Sequence, residues 1–156
     1  MQAFQACRRL APDMTQRHGS GHVSWVVDLE LRPGALQAFL VLTTEMVAAT
    51  LQEPGALIYE RSISLDETAV VVYERYSDAS AAIRHLEAFA SRFGERFAAL
   101  VHRRSFTVFG AVTDDLRDHL SPLGATFSTY LVGFARSFTP SRRTHAQRSK
   151  GAHPKS

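Results

Sequence analysis

Four of the side chains in residues 53–85 that can hold or transfer a proton are expected to lie next to an apolar core. They are Tyr59, Glu74, Tyr76 and His85. Two valines share the predicted strand face of Glu74, and a carboxylate on such an apolar face suits a general base or a hydrogen-bonding group in a pocket. A neutral imidazole such as that of His85 can accept a proton near pH 7. The pattern therefore indicates acid–base chemistry next to an apolar core.

Two of these residues also have a purely structural explanation. Glu74 could end its strand in an ion pair with Arg61 or Arg84. His85 flanks the apolar stripe of its predicted helix, where it could cap the core without taking part in chemistry. The sequence leaves both explanations open for both residues.

Three aromatic residues, Trp25, Tyr59 and Tyr76, are predicted to face the same side of a sheet as Glu74. A phenol hydroxyl there could orient an oxygen atom of a ligand, and an indole could form part of a pocket wall. The alternative is ordinary core packing, in which each hydroxyl finds a hydrogen-bond partner.

Hydrophobic periodicity predicts five strands and three helical regions. The strands are expected at residues 23–31, 56–64, 69–76, 105–112 and 126–135, and the helices at residues 35–52, 79–103 and 114–120. The second helix is expected to break near residues 86–88, with Gly94 as a further weak point. The first helix is expected to bury an apolar stripe that consists of Leu36, Leu40, Val47 and Leu51, widened by Phe39 and Met46.

The order of these elements is βαββαβ followed by a short helix and a strand, which predicts an α+β, ferredoxin-like fold. In that fold, helices cover one face of an antiparallel sheet. The other face would carry Val26, Ile58, Val71 and Tyr73, a mixture too apolar for water. A second copy of the chain is therefore expected to cover it, and the last strand could extend the sheet of that partner.

The same segments resemble the antibiotic biosynthesis monooxygenase (ABM) family over residues 23–135. The matching features are Glu53-Pro54-Gly55, Leu57, Tyr59-Glu60, Tyr73-Glu74-Arg75-Tyr76, Ser77-Asp78, His85, Phe109-Gly110, Asp114-Asp115-Leu116 and Leu123-Gly124. The resemblance implies a homodimeric α+β barrel in which each subunit holds a pocket between its sheet and its helices.

The best-known members of that family oxidise phenols, anthrones or quinols with O₂ and use no flavin, haem or metal. The resemblance thus implies a cofactor-independent monooxygenase that acts on a small aromatic substrate and has neither a cofactor nor a metal site. Glu74, His85 and Tyr59 would handle the proton and the phenolate, while Trp25 and Tyr76 would bind the substrate.

Two other functions were weighed against this one. A non-catalytic dimeric barrel that binds a small hydrophobic ligand or a protein partner would have the same fold. Relatives that degrade haem use a helix histidine and a strand asparagine. Here those positions hold Glu95 or Arg96 on the helix and Val27 or Asp28 on the strand, which argues against haem.

Length, charge and cysteine content set the remaining limits. The 156 residues suit one domain, expected at residues 23–135 between a flexible arm, 1–22, and a disordered basic tail, 136–156. The tail holds six Lys or Arg and no acid, whereas residues 23–135 hold nine Lys or Arg against fourteen Asp or Glu. The net charge of +3 therefore arises from the ends, and binding of nucleic acid is not expected. The single cysteine and the lack of an apolar run near the roughly 20 residues of a membrane helix predict a cytoplasmic protein.

Overall fold

The computed structural model describes residues 21–131, and the secondary-structure elements in this part follow the predicted order. The strands are β1 (Val23–Leu31), β2 (Ala56–Ile63), β3 (Ala69–Tyr76), β4 (Val101–Gly110) and β5 (Thr126–Ser128), and the helices are α1 (Leu36–Thr50), α2 (Ala79–Arg92), α3 (Gly94–Leu100), α4 (Asp114–Leu120) and a 3₁₀ turn (Ser121–Leu123). None of these helices is long and apolar enough to cross a bilayer. The predicted arm up to residue 20 and the predicted tail lie outside the described residues.

The five strands form one mixed sheet in the order β2-β3-β1-β4-β5. Strand β1 pairs antiparallel with β3 and β4, β2 pairs antiparallel with β3, and β5 runs parallel to β4. The α+β, ferredoxin-like prediction is confirmed. In this register Tyr59 lies opposite Glu74, which lies opposite Trp25. Because directly paired residues project to the same side of a sheet, these three side chains form a row across one face.

The helices cover the face of the sheet that carries this row. Residues of β1, β3 and β4 pack there with α2 and α4 in one apolar cluster, and with Phe39 of α1 in another. Side chains on β3 alternate as predicted, so that Val70, Val72, Glu74 and Tyr76 are all buried. The site residues are thus held between the sheet and the helices.

The apolar stripe predicted for α1 is wrong in part, because only Phe39 and Met46, the residues expected to widen it, are buried. The residues that α1 buries are Phe39, Leu42, Met46 and Thr50, whereas Leu40, Val47 and Leu51 are between 43% and 78% exposed. Both sets have helical spacing, because nearly every turn of this helix offers apolar residues on more than one side. The sequence pattern alone could not decide which of the two sets faces the sheet.

Two predicted boundaries in the second half of the domain are also wrong. Helix α2 continues past residues 86–88 and ends at Arg92, and the break falls at Phe93 and Gly94. Strand β4 begins at Val101 rather than at residue 105, because Val101 pairs with Leu31 of β1 and is buried. Tertiary pairing overrides the local helical pattern there.

The last strand is shorter than predicted and has a different partner. Of the predicted residues 126–135, only Thr126–Ser128 form a strand within the described part of the chain, which ends at residue 131. This strand pairs in parallel with β4 of its own chain. Its expected role in the sheet of a partner is therefore replaced by an intramolecular one over these three residues.

Gly55, at the junction of α1 and β2, is expected to tolerate no side chain. It has a φ of +94°, and an added Cβ would lie 2.7 Å from the Cβ of Ala81 and from Oγ of Ser77. Gly55→Ala should therefore lower the free energy of unfolding by about 2 kcal/mol or more in urea denaturation. Gly34→Ala is the matched control, because Gly34 also has a positive φ, +77°, but an added Cβ meets nothing within 4 Å. If the two variants lost the same free energy of unfolding, α2 would move away from the added Cβ without destabilising the protein, and the expectation would be wrong.

Candidate functional site

Glu74 is a buried carboxylate that accepts hydrogen bonds from three sides. Its Oε2 atom accepts from Nε1 of Trp25 at 2.7 Å and from the Tyr76 hydroxyl at 2.8 Å. Its Oε1 atom accepts from Nη2 of Arg61 at 3.3 Å. Glu74 as a whole is only 4% exposed. Since indole and guanidinium groups can only donate, both oxygens of Glu74 act as acceptors.

The sequence left open two explanations for Glu74, a carboxylate on an apolar face and an ion pair with an arginine, and the structure shows both features. It lies on the buried face among valines, and it forms an ion pair with Arg61 rather than with Arg84. The side chains of the pair are 8% and 6% exposed, so the arginine compensates a charge that would otherwise be buried alone.

His85 lies on α2 with a carboxylate next to each of its ring nitrogens. Nδ1 is 2.7 Å from Oε2 of Glu53, and Nε2 is 3.6 Å from Oε2 of Glu74. The residue is 4% exposed. The expectation that His85 flanks the apolar stripe is therefore wrong, since it shares the buried face of α2 with Ala81 and Ala82.

Aromatic rings surround this imidazole. Their centroids lie between 5.1 and 6.3 Å from that of His85, and they belong to Trp25, Tyr59, Tyr76 and Phe89. The rings restrict the imidazole to one orientation, in which its nitrogens point along the line from Glu53 to Glu74.

Glu53 is the site residue that sequence reasoning missed. From the sequence, Glu53-Pro54-Gly55 is a feature of the family resemblance, but Glu53 is assigned no role in the site. The side chain of Glu53 is 22% exposed, and its partner His85 lies 32 positions further along the chain. An acidic residue held by a proline and a glycine next to the site helix was the available signal. A contact between residues so far apart in the chain cannot be recognised from local hydrophobic periodicity.

Tyr76 is completely buried behind Glu74. Burial raises the pKa of its phenol far above the ordinary value, and the negative charge of Glu74, which accepts its hydrogen bond, raises this pKa further. Tyr76 therefore serves as a hydrogen-bond donor to Glu74. It is not among the residues that line the main cavity described below.

Tyr59 lies on the other side of Glu74, on β2. The guanidinium of Arg61 stacks 3.9 Å from the centre of its ring. Burial and the charge of Glu74 raise the pKa of Tyr59, and the charge of Arg61 opposes this shift. Its buried hydroxyl finds no hydrogen-bond partner among residues 21–131. Tyr59 faces a small pocket of about 190 Å³ beside α1, not the main cavity.

A cavity of about 480 Å³ lies between the sheet and helices α2 and α3. This volume is within the usual range for sites that bind small molecules. The apolar part of its wall includes Trp25, Val27, Val72, Leu86, Phe89, Phe97 and Phe106, and its polar groups are Arg61, Glu74, His85, Glu87, Arg103 and His119.

The structure brings together all five residues that were predicted for the site, but only three of them reach the cavity. Trp25, Glu74 and His85 line it, whereas Tyr59 and Tyr76 contact it through their neighbours. Within the described part of the chain, no three His, Cys, Asp or Glu side chains are grouped so that they could hold a metal ion. The arrangement can take a proton from a ligand in an apolar cavity and hold it between carboxylates.

The Tyr76 phenol is expected to ionise only when the protein unfolds. An unfolded chain releases this proton near pH 10, while the folded state keeps it. The free energy of unfolding should therefore fall as the pH rises above 10, by up to about 1.4 kcal/mol per pH unit. The difference in phenolate absorbance between the wild type and Tyr76→Phe should stay near zero until circular dichroism reports unfolding. A Tyr76 phenolate signal in protein with a native spectrum would contradict this expectation.

Comparisons with known proteins give the chain a family. The model of the antibiotic biosynthesis monooxygenase family matches residues 23–103, a segment that contains every residue in the contact network of Glu74 and His85. No curated protein matches the chain.

Solved structures with the same fold include MupZ from Pseudomonas fluorescens, at 27% identity and a TM-score of 0.68 over 75% of this chain and 91% of that one. A putative antibiotic biosynthesis monooxygenase from Nitrosomonas europaea matches at 21% identity and a TM-score of 0.53, over 61% and 94% of the two chains. SnoaB from Streptomyces nogalater, a cofactor-independent oxygenase, matches at 20% identity and a TM-score of 0.51, over 60% and 95%. The family model covers more than half of the sequence, and the chain belongs to the antibiotic biosynthesis monooxygenase family.

Proposed function

We propose that this protein oxidises a small, electron-rich aromatic compound such as a phenol, an anthrone or a quinol, with O₂ as the oxidant and without a cofactor. The observation that carries the proposal is the Glu53–His85–Glu74 arrangement in the wall of an apolar cavity. Membership of the family and the likeness in fold to SnoaB, a cofactor-independent oxygenase, support it.

The first step of this reaction is the removal of a proton from the substrate by His85. Glu53 accepts the hydrogen bond of Nδ1–H and so fixes the tautomer in which Nε2 is the free base. When Nε2 takes the proton, the new N–H faces Oε2 of Glu74, which lies 3.6 Å away. Glu74 thus stabilises the imidazolium, and the bonds from Trp25 and Tyr76 hold Glu74 in place for this role.

The second step is the reaction of the substrate anion with O₂. The anion gives one electron to O₂, and the two radicals combine at the activated carbon to form a peroxide. Loss of water from this peroxide leaves a carbonyl group. The peroxide takes back the proton held by His85 before it loses water. For an anthrone, both hydrogens of that water come from the oxidised carbon; for a phenol or a quinol, one comes from the ring carbon and one from the hydroxyl group. One oxygen atom enters the product and the other leaves as water, so that the substrate supplies all four electrons. During this step the apolar wall of the cavity keeps water away from the substrate anion.

A second candidate function is a barrel that binds a small hydrophobic ligand or a protein partner without changing it. The hydrogen bonds of Glu74 favour it, because a carboxylate with three donors resembles a structural polar network as much as a reactive one. The two candidates differ in one measurable property, since only the first consumes O₂.

We expect His85→Ala and Glu74→Gln to lower O₂ uptake by about 10²-fold or more, the usual effect of losing an acid–base group. The measurement is O₂ consumption by metal-stripped protein with a panel of anthrones, naphthoquinols and benzoquinols. Glu53→Gln should reduce the rate less than His85→Ala, because an amide oxygen still accepts the Nδ1–H bond but carries no charge.

Matched controls come from exposed residues of the same types. His102→Ala and Glu45→Gln remove a surface histidine and a surface carboxylate that pair only with Arg32 and Arg96 among the described residues. Both should retain the full rate. If no compound gives uptake above its autoxidation rate, the protein is the binding barrel. If Glu74→Gln and His85→Ala keep the wild-type rate, these residues are not the acid–base groups.

We also propose that the protein is a homodimer in which two sheets pack face to face. The support is a group of apolar residues on the mixed sheet face opposite the helices, where Val71 is 45% exposed and Val26 and Ile58 are only partly buried. A pair of such faces would bury these residues without a further element.

Val71→Asp is expected to convert the dimer into a monomer or an aggregate. The interface would otherwise bury two carboxylates, one from each subunit, without a compensating positive charge. Light scattering measures the mass. Val41→Asp is the matched control, since Val41 is 61% exposed on α1, away from the sheet, and it should leave the mass unchanged. A dimer that survives Val71→Asp would place the interface elsewhere.

A further inference from the structure

Arg103 marks the rim of the cavity on the side of β4. Its Nη2 atom donates a hydrogen bond to the backbone carbonyl of Leu123 in the 3₁₀ turn, and its guanidinium lies 5.6 Å from the ring centre of Phe106. Leu123 and Phe106 line the same cavity. These contacts fix an otherwise exposed arginine at the cavity rim.

Of the two arginines that line the cavity, only Arg61 has a carboxylate partner within the described part of the chain. Arg61 pairs with Glu74 in the interior, and Glu87 lies 4.0 Å from His119 at the rim. Arg103 has no carboxylate partner among residues 21–131. A guanidinium has five N–H donors, and only one of those of Arg103 has an acceptor in this part of the chain.

We propose that Arg103 binds a carboxylate of the substrate, whose aromatic body lies in the cavity. The substrate class is then an aromatic acid. The forked geometry of a guanidinium matches the two oxygens of a carboxylate, which can accept two parallel hydrogen bonds from it. The aromatic part of this assignment rests on the proposed function, whereas the recognition of the acid depends only on the cavity and its charges.

The charge distribution also sets the direction in which such a substrate binds. The interior end of the site holds two carboxylates, Glu53 and Glu74, against the single cation Arg61. An ionised group of the substrate would be repelled there and attracted to Arg103. The acid group therefore stays at the rim, and the end of the ring system that loses a proton points toward His85.

The test compares the binding of a hydroxynaphthoate with that of the corresponding neutral hydroxynaphthamide by calorimetry. We expect the acid to bind wild-type protein about tenfold more tightly or better, and the difference to shrink as salt is added. Arg103→Gln should remove the preference, and Arg103→Lys should keep part of it. Arg104→Gln is the matched control, because Arg104 is the adjacent arginine and pairs with Glu30 at 2.9 Å; it should retain the wild-type preference.

The intrinsic fluorescence of Trp25 can show whether these ligands bind in the cavity. Trp25 is the single tryptophan of the protein and lines the cavity, so both ligands should quench its fluorescence. Equal affinity for the acid and the amide in wild-type protein, no binding of the acid, or an unchanged preference in Arg103→Gln would each overturn the proposal. A thermal melt of each variant shows whether it is folded. If Arg103→Gln unfolds, the test relies on Arg103→Lys, which keeps a hydrogen-bond donor to Leu123.

Failure of this proposal is distinct from failure of the proposed function. Binding is measured without O₂, so an acid preference that depends on Arg103 would stand even if no compound were oxidised. Conversely, oxidation of an aromatic acid with a KM that is unaffected by Arg103→Gln would support the oxygenase and reject Arg103 as the group that binds the acid.

Discussion

The burial of one carboxylate, Glu74, is the constraint on which the rest of the site depends. A carboxylate with so little contact with water is tolerated only if its oxygens find donors, and removing the partner of such a charge typically costs about 3–5 kcal/mol. Here β1 supplies the indole of Trp25, β2 the guanidinium of Arg61 and β3 the hydroxyl of Tyr76. A shift of β1 or β2 by one residue against β3 would point its donor to the opposite face, whereas Tyr76 lies on the same strand as Glu74 and moves with it. The need to satisfy one charge therefore helps to fix the register of β1 and β2 against β3, and it holds Glu74 next to the histidine.

The strands with strict alternation are the parts of the fold that the sequence predicts best. Strands β1 and β3 begin and end where predicted, and α2 begins after Asp78, whose side chain accepts a capping bond from the backbone of Ala81 at 2.8 Å. Such features are local, because a period of two or a capping residue can be recognised within a few positions. The buried side of α1 and the start of β4 depend instead on contacts with the sheet, and a window of local sequence contains no information about them.

The site shows the same division between local and long-range information. Trp25, Glu74 and His85 were identified because a polar or bulky group on a periodic apolar face is visible in the sequence alone. Glu53 and Arg103 were not identified, because each gains its role from a partner 20 or more positions away. The roles of Tyr59 and Tyr76 remain predictions, but their positions are informative. Tyr76 donates to Glu74 and the ring of Tyr59 packs against His85, but neither tyrosine lines the cavity. Their contacts with the site are therefore with Glu74 and His85 rather than with a ligand.

Part of the rim of the cavity lies outside the segment that matches the family. The Glu53–His85–Glu74 wall lies inside that segment, residues 23–103, and so do Glu87 and Arg103 at the rim. His119 and Leu123 come from α4 and the 3₁₀ turn beyond it, and in the described part of the chain neither forms a hydrogen bond or an ion pair with Glu74 or His85. Substitution of these two residues would therefore alter the entrance and leave the interior wall in place, so the appended stretch is where the entrance can diverge among chains that share the same interior.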